Sequence, residues 1–276
     1  MLKTRRQSAF TLIEVMVVVA IIALLLAILL PGLKRARGAA YSTKCLSNLR
    51  QMATAAFNYT YSYDSRFPPY QYKHPTKDIT YNWDFTYKNT NSDDPVVTSG
   101  LLWTDKTNEK IQQCPAFNGE SNAENDPYTG YNYNTSYVGF CIYEQALDWS
   151  SMPPKKLGRL NIKENPVKLE QIKRPGRCAL FGDGEVVLEG KRGANKFMRA
   201  PSTSEPTKPR DKGTIGNGRS AGTQGYRHLQ RTNVAWADGH ATSERDCFTE
   251  RDNDNQHEIG SGTGFLSKDN SLYDLE

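Results

Sequence analysis

The chain has 276 residues, 37% of them hydrophobic, with 35 Lys and Arg against 30 Asp and Glu. Its apolar residues are concentrated in one run, Leu12 to Leu30, interrupted only by Glu14. No second run approaches the ~20 residues that cross a bilayer, which excludes a multi-pass membrane protein, and the one present argues against a purely cytosolic protein. Lys3, Arg5 and Arg6 supply most of the net charge of +5, so the charge marks a basic N-terminal leader and not a surface that coats nucleic acid.

Three readings compete for residues 1–31: a cleaved secretory signal, a plain single-span anchor, and an apolar helix that is used after processing. A secretory signal has an apolar core of roughly 7 to 15 residues followed by a small-residue cleavage site. Here the core is longer, and the small residues Gly38-Ala39-Ala40 sit beyond Lys34, Arg35 and Arg37. Basic residues balance on the two sides of the run, so the positive-inside rule leaves the orientation open.

The junction Arg5-Arg6-Gln7-Ser8-Ala9-Phe10-Thr11-Leu12-Ile13-Glu14 carries the third reading. It resembles the type IV prepilin signature, written G-F-T-L-I-E, with Ala9 where the family has Gly. The resemblance implies a leader of residues 1–9, cytoplasmic cleavage between Ala9 and Phe10 by a prepilin peptidase, and N-methylation of Phe10. It also implies the topology: leader inside, body outside. A carboxylate near a membrane helix is costly unless paired and usually marks function. In pilin-like filaments the residue at Glu14 pairs with the new N-terminus of a neighbouring subunit; the plain alternative is a carboxylate at headgroup level. Pro31 stands where many pilins also carry a proline, and it removes a backbone donor and kinks or locally melts a helix.

Beyond it, Leu33, Ala36, Ala40, Leu46, Leu49, Ala53, Ala56 and Phe57 continue an apolar stripe at helical spacing. The pattern predicts a helix to about Tyr61, its membrane half at 10–31 and its amphipathic half at 32–61, about 75 Å long at 1.5 Å per residue. Residues 62–276 are rich in Tyr, Asn, Pro and Gly and suit short strands and loops. Tyr59, Tyr61, Tyr63, Tyr70 and Tyr72 suggest a packed, half-wet surface more than a stacking platform for glycan or bases. Cys178–Phe181 and Glu185–Leu188 flanking Gly182-Asp183-Gly184 read as a hairpin; so do Asn233–Ala237 and His240–Thr242 flanking Asp238-Gly239. Residues 190–225 read as a basic, flexible loop without aromatic interleaving, so nucleic acid is not an expected partner. The fold class is α+β: a long N-terminal helix on a small antiparallel sheet with long loops, as in pilins.

His228, nine residues and Asp238-Gly239 resemble the H-x9-DG signature of a group of bacterial pseudopilin-like proteins; the Cys45–Gln51 segment, Cys114-Pro115 and Tyr131–Asn134 fit the same group. Cys45, Cys114, Cys141, Cys178 and Cys247 are widely spaced, with no CxxC pair; outside the cytoplasm, two disulfides and one thiol are the default. The group's pattern implies Cys45 with Cys114 as a possible disulfide and leaves the other three open. His228, Asp238 and His240 lack the spacing of a helix-borne metal site. A structural role is favoured, with the His228 ring bonding backbone or Asp238 across the hairpin, and no metal site is assigned. Gly182-Asp183-Gly184 and Asp252–Asn255 hint at calcium ligands without a full loop. No nucleophile elbow, P-loop or dinucleotide fingerprint is present, so no enzyme is expected. The resemblance implies a pseudopilin or type IV pilin-like filament subunit of a type II secretion or pilus-like machine, anchored by one span in the inner membrane with its head in the periplasm. Its implied partners are the prepilin peptidase, other pilin-like subunits and an inner-membrane assembly platform. The alternative is a membrane-anchored envelope protein whose head binds glycan or a divalent metal without polymerising.

Overall fold

The computed structural model describes residues 11–74, 77–88, 96–103, 109–119, 126–139, 142–148, 155–164, 166–188, 190–201, 223–249 and 259–276. The leader with Ala9 and Phe10, Cys141, and Asp252–Asn255 lie outside them.

Helix α1 spans Leu12–Ser62, ending within a residue of the end predicted by its periodicity. Thr11 caps it. The Thr11 hydroxyl accepts from the Glu14 amide at 3.3 Å, while a Glu14 carboxylate oxygen accepts from the Thr11 amide at 2.8 Å. This reciprocal box satisfies donors that the first turn would otherwise leave orphaned. The helix stays continuous through Pro31, so the expected local melting is not observed. A proline deletes one bond of the ladder, and the bonds of the adjoining turns are retained.

Residues Cys45, Asn48, Leu49, Met52, Ala53, Ala56 and Thr60 form the buried face of α1. Their steps of one, three and four residues put them on one stripe. Leu46 and Phe57 flank it, half-buried. The predicted stripe began earlier, but Leu33, Ala36 and Ala40 are exposed. The head first reaches the helix at Gly38, where Leu229 lies close enough that an added Cβ would stand 3.0 Å from it.

The head has two main sheets. Strands β1 (Gln71–Lys73), β2 (Ile79–Asn82), β3 (Phe85–Lys88) and β4 (Val96–Ser99) form an antiparallel meander in chain order. The larger sheet is built around β8 (Ala179–Leu188), which pairs antiparallel with β5 (Tyr131–Asn134), β9 (Lys191–Gly193), β11 (Thr223–Gly225) and β12 (Thr232–Trp236). Strand β10 (Phe197–Met198) joins β5 in parallel, β13 (Ala241–Glu244) pairs with β12, and β14 (Thr263–Gly264) with β11. A separate hairpin pairs β6 (Ile142–Asp148) with β7 (Lys155–Glu164).

Helix α1 lies across β8, β12 and β13. Between the sheets, the rings of Trp83, Tyr133 and Phe181 meet at centroid distances of 5.0 to 5.6 Å. A buried ion cluster ties the meander to the large sheet: Lys196 Nζ lies 2.9 Å from Asp84 and 3.1 Å from Asp126. Such a cluster is costly to break, because either partner left alone is an uncompensated buried charge. At the helix exit Tyr59 stacks on Tyr63 at 4.1 Å, and Tyr72 on Tyr81 at 4.5 Å, the packed and partly wet surface that the composition suggested.

Two expectations are corrected. Gly182-Asp183-Gly184 is no turn, because β8 runs straight through it. The glycines serve close packing: a Cβ at Gly182 would lie 2.3 Å from the Gln224 side chain, and one at Gly184 would lie 2.5 Å from the Asn195 carbonyl. The 190–225 segment is not loop throughout, since β9, β10 and β11 occupy its two ends; residues 202–222 lie outside the described set. The Asp238-Gly239 hairpin is present as β12 and β13, with its loop widened to Ala237–His240 and Gly239 at φ +91°.

Candidate functional site

Two regions carry the candidate functional residues, and they are at opposite ends of α1. In the first, Leu12 to Leu33 present Leu, Ile, Val and Met side chains to the outside, from 49% to 76% exposed. The helix is long and apolar enough there to cross a membrane, and none of its most apolar window is buried by the head. Glu14 sits at the outer tip, its carboxylate also accepting from the Thr11 hydroxyl at 2.7 Å. Pro31 lies near the inner limit of the exposed stretch.

The second region is a buried polar cluster where the scattered motifs converge. Cys45 comes from α1, Cys114 from the loop before β5, Asp183 from the middle of β8, and Arg227 and His228 from the turn entering β12. The Cys45 and Cys114 sulfurs are 2.9 Å apart. The Cys114 sulfur is 3.6 Å from His228 Nε2, which is 3.3 Å from Asp183 Oδ2. Arg227 donates from Nε to the Cys114 sulfur at 3.4 Å, and its guanidinium pairs with Asp183 at 3.2 Å and Glu185 at 3.1 Å. The same guanidinium lies over the Phe117 ring, 5.1 Å from its centre. Asp183 Oδ2 also accepts from the Asn233 amide at 2.7 Å.

Local backbone sets this geometry. His228 and Arg231 exchange backbone bonds across Leu229 and Gln230, both of which have positive φ, 54° and 63°. Left-handed backbone is unfavourable for these residues, and the surrounding structure must hold it. Leu229 is pinned over Gly38, and the turn sends the His228 ring inward, 2% exposed.

The electrostatics follow from crowding charges in a dry place. Burial pushes the Asp183 carboxyl up, against the pull of Arg227 and His228. Burial also opposes ionisation of Cys114, but the Cys45 thiol, Arg227 and His228 outweigh it and hold Cys114 well below the usual thiol range. Cys45 moves the other way, raised by its hydrogen bond to Cys114 and by burial. Burial disfavours the His228 imidazolium, yet Asp183 and Cys114 raise it to about 9. His228 Nδ1, on the far edge of the ring, is buried without a hydrogen-bond partner among the described residues.

The structure thus brings His228, Cys45 and Cys114 together but leaves Asp238 and Gly239 out. The His228 ring, expected to bond backbone or Asp238 across the hairpin, pairs instead with Asp183. Asp238 instead holds His240, Oδ1 to Nδ1, at 2.5 Å, on the surface. Sequence reasoning missed Asp183, Glu185 and Arg227 as members of one cluster. The available signal was a pair of carboxylates inside a strand-like apolar run, flanked by glycines, which a turn reading absorbed.

Residues 4–30 match the family model of the prokaryotic N-terminal methylation motif. No curated protein and no solved structure matches the chain. The matched stretch contains Arg5 and Arg6 of the leader, the Ala9–Phe10 junction, Glu14 and most of the exposed apolar half of α1. The chain therefore carries a type IV pilin-like prepilin signal, joined to a pilin-like α+β architecture of one long helix packed on antiparallel sheets.

Proposed function

We propose that this protein is a pseudopilin or type IV pilin-like filament subunit of a type II secretion or pilus-like machine. The observation that carries the reading is the division of α1. Its outer half shows a continuous apolar surface that the head does not cover, while its inner half is built into the head. Such a surface is stable in a bilayer or against the same surface of neighbouring subunits, and a filament core supplies the second. The methylation motif over residues 4–30 supports the same sequence of events. The precursor inserts through α1, a prepilin peptidase removes residues 1–9, and Phe10 becomes an N-methylated terminus. An inner-membrane assembly platform then stacks the helices, with the heads on the periplasmic side. Glu14 pairs across subunits with the Phe10 amine, which would otherwise be an unpaired charge in an apolar bundle. The resemblance of His228 and Asp238-Gly239 to the H-x9-DG group supports the pseudopilin branch. In this reading the protein is a structural subunit and not an enzyme.

Mass spectrometry of the mature protein tests the proposal. The expected N-terminal peptide begins at Phe10 and carries one added methyl group. Retention of Met1 to Ala9 overturns the reading.

A further inference from the structure

We propose that Cys45, Cys114, Asp183 and His228 bind a transition-metal dication, with zinc the best match, and that this ion clamps helix α1 to the head. The inference is independent of filament assembly, since all four donors belong to the head and the half of α1 buried in it. The donor atoms lie within 4.8 Å of one another and all four residues are buried.

The spacing suits a common ion. Zinc bonds of about 2.3 Å to sulfur and about 2.0–2.1 Å to nitrogen or oxygen, at tetrahedral angles, put donor pairs roughly 3.3 to 3.8 Å apart. The edge from Cys114 to His228 is 3.6 Å and that from His228 to Asp183 is 3.3 Å. The sulfur pair, at 2.9 Å, must open by about 1 Å, and the wider separations, up to 4.8 Å, must close by a similar amount to reach the same shell. Two thiolates, an imidazole and a carboxylate select zinc or iron(II) over calcium, which takes oxygen ligands. That donor set replaces the calcium hint read from Gly182-Asp183-Gly184.

Charge and outer contacts agree. A dication, Arg227 and the Arg192 that pairs with Glu185 balance two thiolates, Asp183 and Glu185, so the cluster is neutral, as a dry interior requires. Arg227 donates to the Cys114 sulfur and to Asp183, and the Asn233 amide donates to Asp183 Oδ2, contacts that orient the donors from outside. A disulfide between Cys45 and Cys114 would use two of the four donors; the ion uses all four. Both cysteines bind as thiolates and His228 as the neutral imidazole, and whatever protons the three side chains hold beforehand are released to solvent. The four donors come from α1, the loop before β5, β8 and the turn before β12, so the ion joins segments that are distant in sequence.

The test uses the full chain, solubilised in detergent and isolated without reductant or chelator, with free thiols blocked at lysis in a parallel sample. Elemental analysis is expected to find about one zinc per chain. Chelation should lower the melting temperature, and cobalt(II) exchanged into the site should show thiolate-to-metal charge-transfer absorption. Cys114→Ser should lose the metal and the absorption. His228→Cys, which keeps four donors, should retain both, and this covers the case in which Cys114→Ser fails to fold. Absence of metal with both thiols free, or a peptide linking Cys45 to Cys114 through a disulfide, overturns the proposal. Retention of Phe10 processing in either case leaves the filament reading intact.

Discussion

The two halves of α1 are one helix in two settings, the outer bare and the inner packed into the head. Leu25 and Leu49 are chemically the same residue on the same element, yet Leu25 is 55% exposed and Leu49 fully buried. The two carboxylates mark the same divide. Among the described residues Glu14 in the outer half has only its own cap residue Thr11 as partner, whereas Asp183 beneath the inner half is held by Arg227, His228 and a backbone amide. Apolar surface and charge within the head are satisfied by the fold; at the outer end they are left for other molecules. Changes in the outer half should therefore alter assembly without altering the fold, and changes in the inner half should do the reverse.

The largest effect expected is at Glu14. Glu14→Leu removes the one charge from the apolar run, so insertion should be no worse, and unfolding of the head should not move. Incorporation into filaments should be lost altogether, because the Phe10 amine of the neighbour has no counter-charge. Microscopy of fibres from cells carrying the variant, beside membrane levels of the protein, checks both halves of the statement. Normal fibres would break the comparison.

Next is Arg227→Met, which leaves Asp183 and Glu185 without their shared cation in the buried cluster. Breaking one side of such a network costs about 3–5 kcal/mol, to be read from denaturant unfolding of the detergent-solubilised protein. An unchanged midpoint would show that the cluster is not a tie between strand and turn.

The matched pair Leu49→Ala and Leu25→Ala sharpens the contrast directly. The first should cost about 2–5 kcal/mol of head stability, through lost burial and the cavity it leaves. The second should leave the unfolding midpoint of the head unchanged. Equal effects would mean that the outer half is also part of the cooperative fold.

The smallest effect expected is at Asp238. Burial raises its carboxyl, but the His240 ring and amide together outweigh this and hold it below the usual carboxylate range. A depressed carboxyl contributes stability above its unfolded pKa, near 3.8, and loses it as pH falls. Asp238→Asn should therefore lower the melting temperature near neutral pH, by an amount that shrinks as pH falls below 3.8. The pair is largely exposed, so the cost should stay below about 1 kcal/mol.

Much of this molecule was legible from local pattern. The apolar run, the helix to the end of the amphipathic stripe and the Asp238-Gly239 hairpin all follow from spacing within a few residues, where backbone period and turn chemistry act directly. The group pattern implied a Cys45–Cys114 disulfide; the fold sets the two sulfurs side by side, 2.9 Å apart, as free thiols. The course of β8 was not legible, because Gly182-Asp183-Gly184 has turn composition and only its neighbours Gln224 and Asn195 reveal that the glycines are there for close approach. Nor was the start of the buried stripe, since Leu33 and Ala40 continue the period but have no head above them.

The sequence by itself determined which stretch is long and apolar enough to cross a membrane and how far the helix runs, because hydrophobic length and periodicity are properties of the chain alone. Only the tertiary structure decided that Asp183 and Arg227, and not Asp238, surround His228 and the two sulfurs. Those partners are brought together by strand pairing and helix packing across large separations in the chain, and such contacts leave no periodic trace in any short segment.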